Sequence, residues 1–362
     1  MRIVLVITSL GVGGAERLLT GLADRFVARG HEVTLAYFQG PADLKPTDSR
    51  VRLVDLGMTR RPRAVIRGLS RLRRLIREFD PDVVNSHLVH ANILVRLLRL
   101  VTPMSRVVSS AHTPNEGGRL RILAYRLTDR LADISTNVSE EAVQAFVDQG
   151  ALTPGRMITI LNGIDARTFV FNESARDGLR RSLAIEGRVP VLLAVGRLWA
   201  EKDYPNLLRA VKSLQDSGFY PRTLIAGDGP LRSSLVDLAN SLGVAAQVQF
   251  LGVRHDISDL MSACDVFVLS SAFEGFGLVV AEAMACERVV VATDCGGVKE
   301  VVGPAGILVA PGKDALLAKG IQEAMNLSPE ERVTLGKKAR ARVLSKFSLQ
   351  RTAERYLSTY LS

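Results

Sequence analysis

Short apolar runs rich in β-branched residues alternate with longer stretches along most of the 362-residue chain. In the longer stretches the apolar positions recur every three to four residues, a spacing typical of helices, whereas the short runs are typical of buried strands. The pattern predicts strands at 2–8, 32–37, 51–54, 82–86, 106–110, 133–138, 157–161, 191–195, 224–226 and 265–269. Regular alternation of strands and helices predicts parallel sheets with helices on both faces, an α/β fold.

The length of the chain predicts about two domains. Residues 163–187 are mixed and polar, so we expect the connection between the domains there. The first domain is predicted at 1–170 and the second at 188–346. The second ends in helical sequence that breaks near Ser328, and a last helix is predicted at 349–361.

A glycine-containing loop, E-G-F-G at 274–277, stands between a predicted strand and a predicted helix at 278–286. A loop that opens a helix leaves backbone N–H groups without partners, which makes a site for anionic or hydroxyl oxygens. Glu274 begins this loop, and Glu282 follows in the second turn of the helix. Carboxylates that accept hydrogen bonds from neighbouring hydroxyls suit a sugar or a ribose. An equal alternative is that Glu274 is a solvated loop residue and Glu282 lies on the surface of the helix, without a ligand.

Two cations follow another predicted strand, at 191–195. Arg197 and Lys202 lie in and just after the loop at its end. Two cations at one strand end suit a diphosphate, whose charge a single helix N-terminus does not balance. A third strand end carries the turn G-D-G-P at 227–230, with Pro230 expected in the first turn of a helix.

These three features together resemble the signature of the retaining glycosyltransferases of family 4, which have the GT-B fold. The resemblance rests on Gly196-Arg197 with Glu201-Lys202, on residues 227–230, and on the pair Glu274 and Glu282, and it covers most of residues 190–305. It implies two Rossmann-like domains that face each other across a cleft, the first binding the acceptor and the second the nucleotide sugar. It also implies that the helix at 349–362 crosses back to the first domain.

The resemblance implies a retaining, metal-independent transfer of a hexose-type sugar from a nucleotide diphosphate sugar, UDP-linked, with no cofactor. Arg197 and Lys202 would stabilise the leaving diphosphate, Glu274 would contact the sugar hydroxyls, and Glu282 would hold the ribose. Backbone groups of the helix-opening loop would bind sugar hydroxyls and the distal phosphate, and Val253 would help to hold the base. The loop residues concerned are Gly275, Phe276, Gly277, Leu278 and Val279.

The N-terminal half offers further candidates. Glycines 11, 13 and 14 follow the first strand, but Glu16 stands where the dinucleotide fingerprint has its third glycine, which disfavours a nicotinamide enzyme. The resemblance places the backbone at Gly14 near the donor phosphates. The alternative is that these glycines only allow the first strand and the following helix to pack closely. The resemblance also places His112 against the donor sugar near the reacting centre, and His87 follows a strand end where it could approach the acceptor. Neither histidine belongs to a metal-ligand pattern, so no metal site is predicted.

Positive charge is concentrated in the first half of the chain. Residues 1–185 carry a net charge of +9 out of a total of +10. The predicted helix at 62–79 has arginines along one side and apolar residues along the other, which fits either a solvated basic face or a surface that lies on anionic lipid. Nucleic acid is disfavoured, because aromatic residues make up 5% of the chain and none is interleaved with these arginines.

We therefore expect a cytoplasmic protein, peripheral on the inner face of the cell membrane, with a saccharide or lipid-linked acceptor. The three cysteines are scattered and suit a reducing compartment. The segment at 13–17 resembles bacterial enzymes of surface polysaccharide and glycolipid biosynthesis. Two alternatives stay open: another GT-B enzyme, namely a sugar-nucleotide epimerase or a glycoside phosphorylase, and a non-catalytic sugar-nucleotide-binding protein.

Overall fold

The computed structural model describes residues 1–11, 13–59, 61–114, 116–185, 187 and 189–362. These residues form two compact units. Unit 1 consists of Met1–Gly163 and Leu349–Ser362, and unit 2 is the continuous segment Ile164–Ser348. The change of unit therefore falls directly after Gly163, and the polar stretch that follows belongs to unit 2 rather than to a connection.

Unit 1 is built on seven parallel strands in the order β3-β2-β1-β4-β5-β6-β7. They are β1 Arg2–Ile7, β2 Glu32–Tyr37, β3 Arg52–Asp55, β4 Val83–His87, β5 Val107–Ser110, β6 Ile134–Asn137 and β7 Met157–Thr159. Each predicted strand of the first half is present; β2 has the predicted ends, and the ends of the other strands differ by at most two residues. All carboxyl ends of parallel strands lie at one edge of a sheet, so the loops that follow β4 and β5 are neighbours there.

Helices cover both faces of this sheet. They are α1 Gly14–Ala28, α2 Pro62–Phe79, α3 Val89–Arg99, α4 Gly118–Thr128 and α5 Glu140–Asp148. Ile3, Leu5 and Ile7 of β1 pack with α1, whereas Val4 and Val6 pack with α2 and α3. Because successive strand side chains point to opposite faces, α2 and α3 lie on the face opposite α1.

Unit 2 repeats this plan with six parallel strands in the order β10-β9-β8-β11-β12-β13. They are β8 Val191–Val195, β9 Arg222–Ala226, β10 Val248–Gly252, β11 Val266–Leu269, β12 Val289–Thr293 and β13 Ile307–Val309. Its helices are α6 Glu173–Ser182, α7 Tyr204–Asp216, α8 Arg232–Ser241, α9 Ile257–Ala263, α10 Leu278–Ala285, α11 Val298–Val302, α12 Asp314–Asn326 and α13 Pro329–Lys346. Pro230 lies in the turn before α8 and not in its first turn.

The last helix, α14 Leu349–Leu361, packs in unit 1. Its buried residues Leu349, Ala353, Tyr356 and Tyr360 join the core that contains α1 and the first strand. Within the described ranges, we find no helix that is both long and apolar enough to cross a membrane.

Candidate active site

The loops that follow β8 and β11 are bound to each other at the carboxyl edge of the unit 2 sheet. The backbone N–H groups of Ala272 and Phe273 donate to the carbonyl oxygen of Glu201, at 2.9 and 3.3 Å. The hydroxyl of Ser270 donates to the carbonyl oxygen of Lys202 at 2.9 Å. These bonds bring together two loops that are about 70 residues apart in the sequence, and with them the side chains of Lys202 and Glu274.

Lys202 and Glu274 form a buried ion pair. Lys202 Nζ lies 2.5 Å from Glu274 Oε1, and the two side chains are 18% and 10% exposed. The same carboxylate oxygen accepts a hydrogen bond from Ser271 Oγ at 2.7 Å. Partial burial strengthens the attraction between the two charges and limits its screening by salt. The ion pair therefore holds the ammonium and the carboxylate in place at the carboxyl edge of the sheet.

Gly296 allows the backbone of the Glu274 loop to lie where it does. Its φ is +55°, and a Cβ atom there would lie 1.8 Å from the carbonyl oxygen of Glu274. Thr293 Oγ1 donates to the carbonyl oxygen of Ser271 at 2.6 Å, which ties the same loop to the end of β12. The position of Glu274 is therefore set by backbone packing as well as by its ion pair.

Arg197 lies in the same loop as Lys202 but has a different environment. Its side chain is 62% exposed, its Nη2 atom lies 3.5 Å from Glu201 Oε1, and its guanidinium lies over the ring of Trp199 at 5.2 Å. The structure therefore gives one enclosed cation and one exposed cation at this strand end. The two predicted diphosphate ligands share a loop, but Arg197 makes no contact with Glu274.

The loop 274–277 opens α10 as predicted. Gly277 is the N-cap residue with φ +85°, and no side chain caps the helix there. The backbone N–H groups of Val280 and Ala281 donate to the carbonyl oxygen of Gly277, and those of Leu278 and Val279, at the start of the first turn, are placed to bind oxygens. Phe276 is buried and packs edge-on against Phe347, which anchors the loop next to Gly275.

Two other predicted donor contacts lie on the same unit. Glu282 is 2% exposed and lies in the second turn of α10. Val253 is 57% exposed and follows β10, whose last residue, Gly252, accepts a hydrogen bond from the N–H of Gly227 at 2.8 Å. Their assignments to the ribose and to the base stay predictions.

Unit 1 carries a buried polar cluster at the carboxyl edge of its own sheet. His87 ends β4, His112 follows β5, and His87 Nδ1 lies 2.9 Å from His112 Nε2. His87 has no exposed surface and His112 is 8% exposed. Burial lowers the pKa of His112 to about 4 and that of His87 well below its usual value, so both rings are neutral at pH 7.

The predicted approach of His87 to an acceptor stays a prediction. In this structure His87 is completely buried, and both of its ring nitrogens are occupied by neighbours, Nδ1 by His112 and Nε2 by Asn85 Oδ1 at 2.9 Å. The contacts of His87 indicate that it supports His112, to which it is hydrogen-bonded.

Glu116 is a buried carboxyl that the sequence did not single out. Tyr125 Oη donates a short hydrogen bond to Glu116 Oε2. Burial raises the pKa of Glu116 to about 7, although Tyr125 and the backbone N–H of His112 oppose that shift by hydrogen bonding to the carboxylate. These bonds tie Glu116 to Tyr125 of α4 and to the backbone of the loop after β5.

Gly14 is the first residue of α1, and Gly13 is the N-cap without a side-chain hydrogen bond. Val12, between the predicted glycines, lies outside the described residues. The helix N-terminus at Gly14 has the polarity that a phosphate requires, and its contact with the donor stays a prediction.

The outward face of α2, α3 and α4 is basic and partly apolar. These three helices carry eleven arginines, no lysine and one carboxylate, Glu78. Eight of the arginines are exposed, five on α2 and three on α4, whereas Arg96 on α3 is fully buried. On α4, Leu120 is 82% exposed and Leu127 is 74% exposed. Leu97 and Leu100, at the end of α3, are exposed as well.

Ser271, Gly296 and Glu116 are functional candidates that the sequence interpretation missed. Ser271 had a detectable signal, because it stands three residues before Glu274 directly after a strand. Gly296 follows the next strand end, where a glycine alone indicates only a turn.

Among the residues that the structure describes, no group of three or more histidine, cysteine or carboxylate side chains could hold a metal ion.

Two family models match the chain, approximately one for each unit. The model described as Glycosyltransferase Family 4 matches residues 12–168, and the model described as Glycosyl transferases group 1 matches residues 175–342. The second match contains Arg197, Lys202, Glu274 and Glu282, and the first contains His112.

Two relatives illustrate the similarity at the sequence level. The D-inositol 3-phosphate glycosyltransferase of Rhodococcus opacus is 33% identical over 245 residues, which cover 64% of this chain and about half (53%) of that protein. The N-acetyl-alpha-D-glucosaminyl L-malate synthase of Bacillus anthracis is 23% identical over 369 residues, which cover 96% of this chain and 94% of that protein. Their names specify different acceptors.

At the structural level the chain is similar to Anabaena Alr3699/HepE, whose crystal structure contains UDP and glucose. The TM-score is 0.86 with 23% sequence identity, and the match covers 99% of each chain. This likeness, together with the two parallel sheets, confirms the predicted α/β fold of GT-B type with two Rossmann-like units.

Proposed function

Because the chain belongs to the group 1, family 4 glycosyltransferases, we propose that it moves a hexose-type sugar from a nucleotide diphosphate sugar to a saccharide or lipid-linked acceptor. We propose further that the anomeric configuration is retained and that no metal ion takes part. The observation that carries this proposal is the buried pair of Lys202 and Glu274 beside the helix-opening loop 274–277.

The chemistry follows from what each side chain offers. Breaking the anomeric C–O bond leaves a diphosphate, whose negative charge develops in the transition state and must be stabilised. The ammonium of Lys202 and the guanidinium of Arg197 supply that charge in place of a metal ion. The carboxylate of Glu274 accepts hydrogen bonds from sugar hydroxyls, and the N-terminus of α10 receives the distal phosphate.

Retention requires the acceptor to arrive on the face that the diphosphate leaves, or a covalent intermediate on a protein carboxylate. Glu274 and Glu282 are assigned to the sugar hydroxyls and to the ribose, so neither is available as a nucleophile. We therefore favour attack from the same face, with the leaving phosphate accepting the proton of the acceptor hydroxyl. His112 contacts the donor sugar in this arrangement.

The nucleotide is proposed to be UDP. The Anabaena protein with the same fold binds UDP and glucose, which supports a uridine donor without fixing it at 23% identity. Val253, exposed after β10, and the buried Glu282 are the residues we assign to the base and to the ribose.

The acceptor side is proposed to lie at an anionic membrane surface on the inner face of the cell membrane. The exposed arginines on α2 and α4 attract anionic headgroups, and the exposed leucines of α4 provide apolar area that can enter the headgroup boundary. An acceptor with a lipid anchor would be met at this surface.

The first test is donor-dependent nucleotide release and thermal stabilisation by UDP-, GDP- and ADP-sugars in the presence of EDTA. One donor should stabilise the protein and be slowly hydrolysed. Lys202→Ala should lower kcat by about 10²–10³. The matched control is Lys212→Ala, because Lys212 is an exposed lysine of the same unit that pairs with Asp216 and lies on α7.

Three other outcomes would identify the alternatives. Activity that requires inorganic phosphate would identify a phosphorylase, conversion of the nucleotide sugar alone would identify an epimerase, and no turnover at all would indicate a binding protein.

Membrane binding is tested separately by flotation with vesicles of phosphatidylcholine and phosphatidylglycerol. The protein should float at low salt, and binding should fall when Leu120 and Leu127 are both changed to serine. Leu361→Ser is the control, since Leu361 is an equally exposed leucine at the end of α14. Equal flotation of the double variant and the wild type would rule out the proposed α4 surface.

A further inference from the structure

Four buried side chains form a hydrogen-bonded series at the carboxyl edge of the unit 1 sheet. Tyr360 Oη donates to Asn85 Oδ1 at 2.7 Å, Asn85 Oδ1 lies 2.9 Å from His87 Nε2, and His87 Nδ1 lies 2.9 Å from His112 Nε2. Asn85 and His87 have no exposed surface, and Tyr360 is 5% exposed. We call these four residues the histidine relay.

The orientation of the Asn85 amide fixes the direction of every bond in the relay. Asn85 Nδ2 lies 3.1 Å from the carbonyl oxygen of Val108 and 3.0 Å from Ser110 Oγ. A carbonyl oxygen can only accept, so the nitrogen of the amide must face Val108. The oxygen of the amide therefore faces His87 and Tyr360.

The proton positions on the two imidazoles follow from this orientation. Because Asn85 Oδ1 only accepts, His87 Nε2 must carry a proton. Burial keeps His87 neutral, so its Nδ1 carries none and accepts. The proton between the two rings therefore belongs to His112 Nε2, and His112, which is also neutral, has a lone pair at Nδ1.

His112 Nδ1 is buried and has no hydrogen-bond partner within the described part of the chain. A buried acceptor without a donor is costly, and most such atoms in folded proteins are paired. Three residues fix the orientation of this lone pair, so the atom is suited to a group that donates a hydrogen bond, and a hydroxyl of a sugar is such a group. Because the atom is covered in this structure, a hydroxyl reaches it only after a local shift of the groups around it.

We propose that Asn85 and His87 are positioning residues that hold His112 as the tautomer protonated at Nε2, so that Nδ1 accepts a hydrogen bond from a hydroxyl of the transferred sugar. The part concerning the sugar rests on the proposed glycosyltransferase function, whereas the part concerning the tautomer does not. The opposite tautomer would present an N–H at this position and would favour a different ligand, one that accepts.

The tautomer is measured by ¹⁵N NMR of the imidazoles in the full-length, ligand-free protein at pH 7.5. The two resonances are assigned with His87→Gln and His112→Gln. The expected result is one proton on His112 Nε2, with a scalar coupling to His87 Nδ1 across the N–H···N bond. A proton on His112 Nδ1, or the absence of any coupling between the rings, would overturn the proposal.

Asn85→Asp tests whether the relay sets the tautomer. A carboxylate at this position favours the imidazolium form of His87, whose Nδ1–H then donates to His112 and moves the His112 proton to Nδ1. Asn206→Asp is the matched control, since Asn206 is an equally buried asparagine that lies in unit 2, at the start of α7. An unchanged His112 tautomer beside an imidazolium His87 would refute a positioning role for Asn85, whereas a His87 that stays neutral with its proton on Nε2 would show that an acceptor at this position sets the tautomer.

The hydroxyl is identified with UDP-glucose analogues in which fluorine replaces one hydroxyl at a time, because fluorine does not donate a hydrogen bond. At one position the loss of kcat/KM should be larger in the wild type than in His112→Phe by about tenfold or more, since the inductive effect of fluorine is common to both and cancels in the comparison. Additive losses at every position would reject the hydroxyl contact. If UDP-glucose is not turned over at all, the proposed donor is wrong, and the NMR measurement still decides the relay.

Discussion

Glu116 shows how one buried side chain can make the stability of unit 1 depend on pH. Its pKa is raised from 4.5 to about 7 in the folded protein, chiefly by burial. The folded state therefore holds this proton more tightly than the unfolded state does. Stability contributed by the protonated form is fully present below pH 4.5 and is lost as the pH rises from 4.5 to 7.

Glu116→Gln should remove this loss. We expect the free energy of unfolding of the variant, relative to wild type, to rise by about 3 kcal/mol between pH 4.5 and pH 8. Subtracting the wild type cancels the opposite effect of the buried His87 and His112, whose lowered pKa values reduce stability as the pH falls below 6.5. Chemical denaturation across the pH range measures it, with the exposed Glu78→Gln as control. A difference that does not change with pH would contradict the assignment.

Gly296 is the residue on which the position of Glu274 depends most directly. Gly296→Ala places a Cβ against the carbonyl oxygen of Glu274 in a left-handed conformation, so the loop must move. We expect kcat to fall at least tenfold together with a loss of stability of about 2 kcal/mol or more. Gly312→Ala is the control, because Gly312 has φ +66° and open space around it, and should lose about 1 kcal/mol with activity intact. Equal activity in the two variants would show that the loop tolerates displacement.

At this scale the sequence indicated the charged side chains that we propose to act on the donor, and it missed the residues that contact them in the structure. Arg197, Lys202 and Glu274 stand out because charged residues after apolar strands break the pattern. Tyr360 could not be found in this way, because its partner, Asn85, is 275 residues away and each looks like ordinary strand or helix sequence. Long-range hydrogen bonds leave no local periodicity in a sequence.

At the scale of elements, α6 is the helix that the apolar pattern did not indicate. None of its residues is fully buried. It is attached instead through Arg176 and Arg180, which donate to the carbonyl oxygen of Ala263 and form ion pairs with Asp265. A helix held by arginines looks polar in sequence, and for this reason the stretch 163–187 was interpreted as a connection. By contrast, α2 was predicted with the correct ends, since its apolar residues follow the helical period.

Helix α14 lies close to Gly163, the last residue of the first segment of unit 1, so a side chain at Gly163 should disturb the packing of this helix. A Cβ on Gly163 would lie 2.6 Å from Leu349 Cα and 2.5 Å from Thr352 Oγ1. Gly163→Ala should therefore push α14 away from the unit 1 core and lower the free energy of unfolding by about 2 kcal/mol or more. Gly178→Ala is the control, because Gly178 lies within α6 with open space, and an alanine there should stabilise by about 0.5–1 kcal/mol. Equal stability of the two variants would mean that α14 accommodates the methyl group.

At the scale of the whole molecule, the two units have separate cores, and we expect two thermal transitions. The only tryptophan, Trp199, lies in unit 2, so its fluorescence should follow one transition while calorimetry detects both. UDP at 100 times its dissociation constant should stabilise the transition that Trp199 reports by about 2.7 kcal/mol. A single transition seen by both methods would show that the cores unfold together.

The assignment of α14 to unit 1 has a consequence for biosynthesis. Domains generally fold as units while the chain is being made. Unit 2 is continuous, so all of it is translated before α14. Unit 1, although most of it is translated first, lacks four core side chains until α14 has followed unit 2. The unit that begins first is thus completed second, and a chain that stopped after unit 2 would contain a unit 1 sheet with an open core.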